Sequence, residues 1–312
     1  METKTKFTFV DLFAGIGGMR IPFEELGGRC VFASEFNKFS AITYEANFHQ
    51  TPSGDITKID PLEIPPHDLL LAGFPCQPFS HAGLKRGFDD IRGTLFFNIA
   101  NIIKARRPAA VLLENVRGLL SHDHGNTFAT IKQIIEQDLG YYLFTEIHNA
   151  KNYGLPQNRA RIFMVALREK YVFEFPKAPN TKTRVGDVLE GNVDDKYTIS
   201  DGLWNFLKER KALQRDKGNG FGYSLFYDDD AYTNTLSARY YKDGAEILIW
   251  QEGKNPRKIT PREVARLQGF PDNFIIPVSD TQAYRQFGNS VAVPCVRSIA
   301  KNIALYLDSL HK

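Results

Sequence analysis

Cys76 follows a short apolar run and stands between two prolines. Residues 69–72, Leu-Leu-Leu-Ala, predict a buried parallel strand that Gly73 and Pro75 end. Cys76 therefore comes just past the carboxyl end of a strand, where open α/β sheets bind their ligands. Pro75 and Pro78 have a restricted φ and no backbone N–H, so they stiffen the loop. This placement favours a nucleophilic thiol; the alternative is a small buried apolar residue, the commoner role of a free cysteine.

Charged side chains stand at the ends of two other predicted strands. Glu114 follows the apolar run 110–113, and a carboxylate at the end of a buried strand is costly unless it is paired or used. Arg159 and Arg161 alternate just before the apolar run 162–167, so we expect both to reach one carboxylate or phosphate from the same face. The alternative is a basic pair on the surface. These three residues are the candidate partners of the thiol.

A glycine-rich turn and two carboxylates predict a nucleoside site. Residues 11–18, Asp-Leu-Phe-Ala-Gly-Ile-Gly-Gly, end the first predicted strand, and their glycines allow a tight turn and close approach of a ligand. Glu35 comes 20 residues after Gly15, the spacing at which a carboxylate accepts from ribose hydroxyls, and Asp55 is placed to accept an adenine amino group. The glycine loop holds no cation, which favours an uncharged linkage such as that of S-adenosylmethionine over a pyrophosphate. Helix caps are the alternative for both carboxylates.

Composition bounds the class of protein. A chain of 312 residues can bury a sizeable core and suggests about two domains. No apolar run approaches the ~20 residues that span a bilayer, and no signal-type segment precedes the first strand, so we expect a cytoplasmic protein without membrane contact. Three cysteines without paired spacing exclude a disulfide framework or a zinc cluster, and no metal site is predicted. The net charge of +3 is compatible with a nucleic-acid partner without arguing for one.

Two regions of different character follow each other along the chain. Over about the first 170 residues, apolar runs and amphipathic stretches alternate as in β-α units on a parallel sheet. From 176 to about 257 the chain becomes richer in Gly, Asn, Asp and Tyr, which predicts a second, mostly β domain. Strands are predicted at 7–12, 30–34, 68–72, 110–113 and 162–167, a β-hairpin at 233–238 and 246–250, and helices at 94–105, 127–137, 201–213, 261–267 and 296–310.

Six segments, in this order, resemble the motif set of DNA cytosine-5 methyltransferases almost from end to end of the chain. They are Asp11-Leu-Phe-Ala-Gly-Ile-Gly-Gly, Gly73-Phe-Pro-Cys-Gln-Pro-Phe-Ser, Glu114-Asn-Val, Gln157-Asn-Arg-Ala-Arg, Arg266-Leu-Gln-Gly-Phe-Pro and Gln286-Phe-Gly-Asn-Ser-Val. The resemblance implies an α/β fold: a doubly wound, Rossmann-like S-adenosylmethionine-dependent methyltransferase domain at 1–175 plus 285–312. A smaller, mostly β target-recognition domain with its hinge is implied at 176–284.

The resemblance also implies a role for each motif residue. Cys76 would add to carbon 6 of a flipped-out cytosine, which makes carbon 5 nucleophilic enough to take a methyl group. Protonated Glu114 would hold N3 and the exocyclic amine, Arg161 would contact the cytosine carbonyl oxygen, and Arg159 would help to organise the same pocket. The implied S-adenosylmethionine pocket comprises Phe13, Gly15, Gly17, Gly18, Glu35, Asp55, Pro75, Leu95, Asn289 and Val291.

Double-stranded DNA is the expected partner. Residues 80–92 resemble the mobile catalytic loop of the family, whose glycines permit movement and whose cations suit phosphate contacts. In the variable block, exposed loop residues are expected to read base edges in the major groove, with plain solvent-exposed turns as the alternative. DNA contacts are predicted at Ser80, Lys85, Arg86, Arg92, Arg239, Tyr240 and Lys242.

Three alternative functions stay open at this point. A tRNA cytosine-5 methyltransferase would carry a Cys-Phe-Thr segment in the variable region, and none is present there. A non-catalytic DNA-binding relative is disfavoured by the intact motif residues, and a thiol hydrolase lacks a histidine placed by a motif. The length resembles stand-alone bacterial or phage enzymes, so we expect a monomer that protects DNA from a cognate restriction endonuclease.

Overall fold

The computed structural model of the chain describes residues 5–75, 95–219 and 222–310. The chain forms two compact units: Met1–His148, Ala160–Lys177 and Cys295–Lys312 make the first, and Asn149–Arg159 with Ala178–Pro294 make the second. Residues 149–159 and 285–294, expected in the first domain, belong to the second unit. One reason is that Gln157 forms an isolated β-bridge with Thr233 of that unit.

A six-stranded sheet forms the centre of the first unit. Its strand order is β2-β1-β3-β4-β6-β5. The strand pairs β1–β2, β1–β3 and β3–β4 are parallel, whereas β4 and β6 are antiparallel, which departs from the expected parallel sheet. The strands are β1 Phe7–Leu12, β2 Gly28–Ser34, β3 Leu69–Gly73, β4 Ala110–Val116, β5 Tyr142–Asn149 and β6 Ala160–Leu167.

The apolar runs in the sequence became the central strands because both faces of the sheet are covered there. β3 and β4 are buried almost throughout, as expected for strands between two helical layers. The five strands predicted from apolar runs are confirmed with small changes in their bounds. β5 was missed because most of its residues are exposed or half-buried, so it has no apolar run to mark it.

Helices cover the sheet and meet its core with apolar faces. Ile99, Ile102 and Ile103 of α3 pack in one cluster with Val111 and Leu113 of β4. A π-helical turn, Ile134–Asp138, follows α4, and no described helix is long and apolar enough to cross a membrane. The helices of this unit are α1 Arg20–Glu25, α2 Lys38–Phe48, α3 Leu95–Arg106 and α4 Asn126–Gln133.

The second unit is not mostly β, which corrects the sequence-based expectation. Its only described sheet has three strands of two residues each, and α5 alone is longer than all of them together. The predicted hairpin is wrong as well, because β8 pairs with β7 and β9 and not with residues 233–238. The elements are α5 Asp201–Asp216, β7 Leu225–Phe226, β8 Leu248–Ile249, β9 Arg257–Lys258, α6 Pro261–Leu267 and α7 Asp280–Asn289.

The last helix, α8, covers Val293–Ser309 and returns the chain to the first unit. There Arg297 contacts Glu25 of α1 through two hydrogen bonds of 2.7 and 2.8 Å. The predicted helix at 296–310 is therefore confirmed, with an earlier start.

Candidate active site

Glu114 lies beside the point where β3 leads toward Cys76. Gly73, the last residue of β3, pairs in register with Glu114 of β4. A Cβ on Gly73 would lie 3.7 Å from Glu114 Oε2 and 3.8 Å from Met19 Sδ, so both of these side chains adjoin the end of β3. Cys76 itself lies outside the described residues, and Pro75, the last described residue before it, is exposed. The chain therefore leaves β3 toward Cys76 from beside the Glu114 carboxylate.

Arg161 makes the ion pair with Glu114. Its Nε lies 3.2 Å from Glu114 Oε1, and the two side chains are 15% and 11% exposed. Glu114 is opposite Phe163 in the β4–β6 ladder, so Arg161, two residues earlier, is a diagonal neighbour on the same face. Burial lowers the pKa of Arg161 while Glu114 raises it, and a guanidinium stays charged in either case. The pair forms a polar group at the end of an apolar sheet.

Arg159 binds different groups from Arg161, contrary to the expectation that both reach one carboxylate. Its guanidinium donates to the carbonyl oxygens of Leu236, Gly288 and Ser290 at 2.9, 3.0 and 2.6 Å. Arg159 precedes β6, so the alternation of side chains along a strand does not decide which way its side chain points. It is only 2% exposed. In the second unit it fixes the backbone at the end of α7.

Asn115, which sequence reasoning passed over, ties the end of β4 to the loop after β3. Its Nδ2 donates to the carbonyl oxygen of Phe74 at 2.8 Å, and its Oδ1 accepts from Val116 N at 2.8 Å. The side chain is 2% exposed. Phe74 is two residues before Cys76, so this bond fixes the chain close to the thiol. A polar residue next to Glu114 in an otherwise apolar strand was the signal available in the sequence.

The glycine loop, residues 15–18, needs its glycines. Gly15 and Gly17 have φ of +55° and +81°, a region that residues with a Cβ rarely adopt. A Cβ on Gly17 would also lie 2.1 Å from the Phe48 ring. Gly18 is buried, and Phe13 just before the loop has a φ of +53°. The tight turn that the glycines predicted is therefore confirmed, and the close approach of a ligand stays a prediction.

Glu35 closes the glycine loop against the end of β2. Its carboxylate accepts from Gly15 N at 2.9 Å and from Asn37 N at 2.7 Å. Burial raises the pKa of Glu35, and these two bonds oppose that rise. Each carboxylate oxygen can accept more than one hydrogen bond, so the ribose of a nucleoside fits as a further donor.

Phe36, which sequence reasoning also missed, offers an apolar surface at the same place. It directly follows Glu35 and is 77% exposed. Aromatic rings stack on one another, so an exposed ring beside a ribose acceptor suits a purine. The Glu35 carboxylate as acceptor and this ring together fit an adenosine-containing cofactor such as S-adenosylmethionine. An aromatic residue directly after the carboxylate that ends β2 was the available signal.

Asp55 acts as a cap, which was the alternative role considered for it. Thr57 donates from N and from Oγ1 to Asp55 Oδ1 at 3.0 and 2.8 Å, at the start of the short 3-10 helix Ile56–Lys58. These bonds lower the pKa of Asp55. Ser53 N donates to the carbonyl oxygen of Ala33 at 2.8 Å, which holds this loop at the end of β2. Both of these bonds use Asp55 Oδ1.

The remaining predicted cofactor residues are divided between the units. Leu95 begins α3 in the first unit and is half-buried. Asn289 and Val291 belong to the second unit, the first exposed at the end of α7 and the second 6% exposed. Among the described residues, no group of three or more His, Cys, Asp or Glu side chains could hold a metal ion. The predicted DNA contacts Ser80, Lys85, Arg86 and Arg92 lie outside the described residues, as Cys76 does.

Tyr240 is wrongly predicted as a base-reading residue. It is 1% exposed, and its hydroxyl donates to the carbonyl oxygen of Ile247 at 2.6 Å and accepts from Ile259 N at 3.0 Å. A residue packed and bonded in this way cannot reach a base. Arg239 and Lys242, by contrast, are exposed. The composition of the loop did not reveal which of its residues face inward.

The two other cysteines, both described, do not suit nucleophilic chemistry. Burial raises the pKa of Cys30 to about 12, and its Sγ donates to the carbonyl oxygen of Phe32 at 3.3 Å. Cys295 is 2% exposed in α8. Thiolates and not thiols are nucleophiles, so neither residue competes with Cys76 for this role.

Known proteins resemble the chain along nearly its whole length. Residues 7–305 match the model of the C-5 cytosine-specific DNA methylase family. Type II methyltransferase M.SsoII of Shigella sonnei is 57% identical over 310 residues, which cover 97% of this chain and 82% of that protein. Type II methyltransferase M.NlaX of Neisseria lactamica is 56% identical over 308 residues, with coverage of 97% and 98%.

Solved structures show the same fold at lower identity. The S. pombe Dnmt2 methyltransferase superimposes with a TM-score of 0.79 and 22% identity, over 98% of this chain and all of the other. The predicted Rossmann-like α/β methyltransferase fold is thereby confirmed. Taken with the family match and the two Type II relatives, the chain belongs to the C-5 cytosine-specific DNA methylase family and is a DNA cytosine-5 methyltransferase.

Proposed function

We propose that the protein transfers the methyl group of S-adenosylmethionine to carbon 5 of a flipped-out cytosine in a specific sequence of double-stranded DNA. The reaction runs through a covalent bond between Cys76 Sγ and carbon 6 of that cytosine. The observation that carries this proposal is the position of the Glu114–Arg161 pair beside Gly73, where β3 leads into Cys76.

The cofactor residues of the first unit act through shape and hydrogen bonding. When bound, S-adenosylmethionine supplies an electrophilic methyl group. Glu35 accepts the ribose hydroxyls, the Phe36 ring packs on the adenine, and the glycine loop allows the backbone to approach the ligand. Met19 follows this loop and lies next to the Gly73 position, so the cofactor loop and Glu114 adjoin the same strand end.

The chain's own groups activate the cytosine. The Cys76 thiolate adds to carbon 6, and the electron pair of the 5,6 double bond becomes available at carbon 5. Glu114, protonated, donates to N3 and accepts from the exocyclic amine, which stabilises the charge that moves onto the ring. Arg161 contacts the cytosine carbonyl oxygen and holds Glu114 through its Nε. After methylation a base removes the carbon-5 proton, the 5,6 double bond re-forms and the thiolate leaves.

The biological role we propose is protection of DNA from a restriction endonuclease that recognises the same sequence. The names of the two relatives as Type II methyltransferases support it. Residues 80–92, with Ser80, Lys85, Arg86 and Arg92, would close over the flipped base, and the protein would act as a monomer. Bisulfite sequencing of plasmid from cells that express the protein should show one methylated motif. Scattered methylation, or none, would contradict the specific role.

A mechanism-based trap tests the covalent step without knowledge of the target sequence. DNA amplified with 5-fluorodeoxycytidine carries at every cytosine a fluorine that no base can remove as a cation, so the adduct cannot resolve. We expect the protein with S-adenosylmethionine to form a denaturation-resistant complex whose linked peptide contains Cys76. Cys30→Ser and Cys295→Ser should keep the complex, since both thiols are buried or have a raised pKa. A complex that survives Cys76→Ala, or no complex with the unaltered protein, would contradict the proposal.

A further inference from the structure

A group of cations surrounds one tyrosine in the second unit. The guanidinium carbon of Arg285 lies 4.4 Å from the centre of the Tyr241 ring. A hydrogen bond from Arg285 and the charges of Arg285, Lys242 and Arg239 lower the pKa of the Tyr241 hydroxyl. We refer to Arg239, Tyr241, Lys242 and Arg285 as the Tyr241 cluster.

The cluster is held in place by the residues next to it in the chain. Tyr240 and Tyr284, which precede Tyr241 and Arg285, are 1% and 4% exposed and pack with their ring centres 5.0 Å apart. Tyr240 of the turn thus packs on Tyr284 of α7 in the interior. Their neighbours in the chain, Tyr241 and Arg285, contact each other closer to the surface. This arrangement fixes Arg285 over Tyr241.

A close backbone approach supports the same arrangement. A Cβ on Gly288 of α7 would lie 2.5 Å from backbone atoms of Ser237 and Ala238, so the turn touches the helix directly. Within the turn, Lys242 N donates to the carbonyl oxygen of Arg239 at 2.9 Å. The cations of the cluster are therefore carried by rigid backbone and not by a loose loop.

The positive charge of the cluster is not neutralised. Arg239, Lys242 and Arg285 are exposed, and none of them has a described carboxylate within 4.0 Å. Asp243, the next residue after Lys242, lies 3.8 Å from Arg210 instead. Like charges held together without acidic partners repel one another, and such an arrangement favours binding of a polyanion.

We propose that the Tyr241 cluster binds the sugar-phosphate backbone of DNA. This inference rests on the proposed function, which makes DNA the substrate. Phosphates carry the full negative charge that three grouped cations favour, whereas base edges are uncharged. The guanidinium carbon of Arg285 lies over the Tyr241 ring, and a guanidinium has five N–H donors, so donors remain for the oxygens of a phosphate besides the one that bonds the Tyr241 hydroxyl. The acidified Tyr241 hydroxyl is a further donor.

The cluster changes the role of two residues that the sequence assigned to base reading. Arg239 and Lys242 hold the position and register of the duplex, and sequence information comes from other side chains. Tyr241, which is half-buried, takes the more accessible position that the sequence assigned to Tyr240. Arg285, which belongs to α7 and not to the variable block, completes the contact.

The salt dependence of DNA binding tests this proposal. We would measure the equilibrium affinity for short duplexes at several salt concentrations, without S-adenosylmethionine, for the unaltered protein, Arg285→Gln, Lys242→Gln and the double variant. Each lost phosphate contact should lower the slope of log affinity against log salt by about 0.9, and the double variant by about twice that. The loss should be equal on a duplex of mixed sequence and on one that contains only A·T pairs.

Two variants control for overall charge and for the stacked geometry. Arg215→Gln removes the same charge from α5, where the Arg215 side chain is 84% exposed, and should leave the slope unchanged. Arg285→Lys should restore most of the slope, because it keeps the charge. The proposal is overturned if the cluster variants bind with unaltered slopes, if Arg215→Gln has the same effect, or if the loss is confined to duplexes that contain cytosine. The Cys76 adduct, measured separately, decides the proposed function, so the two can fail independently.

Discussion

Two Arg–Glu pairs of the molecule have the same chemistry and different surroundings. In the second unit, Arg257 contacts Glu263 through two nitrogens at 2.7 Å each. Glu263 is wholly buried, and its two oxygens also accept from the backbone N–H groups of Glu190 and Thr260 at 2.8 and 2.7 Å. In the first unit, Arg161 reaches Glu114 with Nε at 3.2 Å, and the two side chains are 15% and 11% exposed.

The difference distinguishes a pair that stabilises the fold from a pair that can serve a substrate. Each oxygen of Glu263 accepts from two donors, one of them a nitrogen of Arg257, so the carboxylate is held in one position. Glu114 instead stands at a strand end beside the glycine that leads toward Cys76. Bidentate geometry inside a core indicates structure, whereas a looser contact at the ligand-binding edge of a sheet indicates chemistry.

Replacing Glu114 should have the largest effect on activity. Glu114→Gln keeps the shape of the side chain and replaces the acidic O–H, which in the proposed mechanism donates to N3, by an amide that is not an acid. We expect the single-turnover rate of methyl transfer to fall by about 10²- to 10⁴-fold. Thermal stability should change little, because the amide oxygen of Gln can still accept from Arg161 Nε. A large loss of stability with an unaltered rate in the folded fraction would show that the Glu114–Arg161 pair is structural and not catalytic.

Replacing Glu263 should show the opposite pattern. Glu263→Ala leaves the Arg257 guanidinium buried without its partner, and we expect the free energy of unfolding to fall by about 3–5 kcal/mol. Denaturant unfolding measures this change. The double variant Arg257→Met with Glu263→Leu should recover much of the loss, because no charge is then left in the core. If Glu263→Ala is as stable as the unaltered protein, the pair is not structural.

Asp11 extends the comparison to a buried carboxylate without a described ion pair. It is 1% exposed and accepts from the Tyr44 hydroxyl at 3.4 Å, while Arg20 donates to that hydroxyl and not to Asp11. Burial raises the pKa of Asp11 from 3.8 to about 8. Between these two pH values the folded protein keeps a proton on Asp11 that the unfolded chain releases. The contribution of Asp11 to stability is therefore fully present below pH 3.8, decreases as the pH rises and is lost above about 8.

The pH dependence of unfolding measures the contribution of Asp11. Between pH 6.5 and 8, stability should decrease with a slope of at most about 1.4 kcal/mol per pH unit, and Asp11→Asn should flatten that slope. Burial lowers the pKa of His148 to about 4, so His148 acts in the other direction and only below pH 6.5. An Asp11→Asn protein with the same slope as the unaltered one would show that Asp11 is ionised in the fold.

The surface pair of Glu25 and Arg297 should matter least. It is bidentate like the Arg257–Glu263 pair, but its side chains are 45% and 36% exposed. Because water screens exposed charges, Glu25→Gln should change stability by at most about 1 kcal/mol, and less at high salt. A larger change would mean that bidentate geometry, and not burial, sets the strength of these pairs.

The sequence predicted local features well and long-range ones poorly. The bounds of β1 and α6 agree with the prediction, and Thr260 caps α6 as expected, because apolar runs and caps depend on neighbouring residues. The glycine loop was predictable for the same reason. The pairing of Arg161 with Glu114 was not predictable in this way, because in a parallel sheet the start of β6 and the end of β4 would lie at opposite edges.

What the sequence did not predict depends on contacts between distant segments. Nothing in the apolar run of β6 shows that it is antiparallel to β4. Whether Tyr240 or Tyr241 faces inward is decided by Tyr284 and Arg285, more than 40 residues later. Arg159 bonds to carbonyls that are 77 to 131 residues away in the chain.

The central claim is that the Glu114 end of the sheet methylates carbon 5 of cytosine. Its most direct test is nucleoside mass spectrometry of DNA after incubation with methyl-deuterated S-adenosylmethionine. The unaltered protein and Glu25→Gln should produce deuterated 5-methyldeoxycytidine, and Glu114→Gln at equal folded concentration should produce almost none. Methylation at the exocyclic amine, or equal product from Glu114→Gln, would contradict the account.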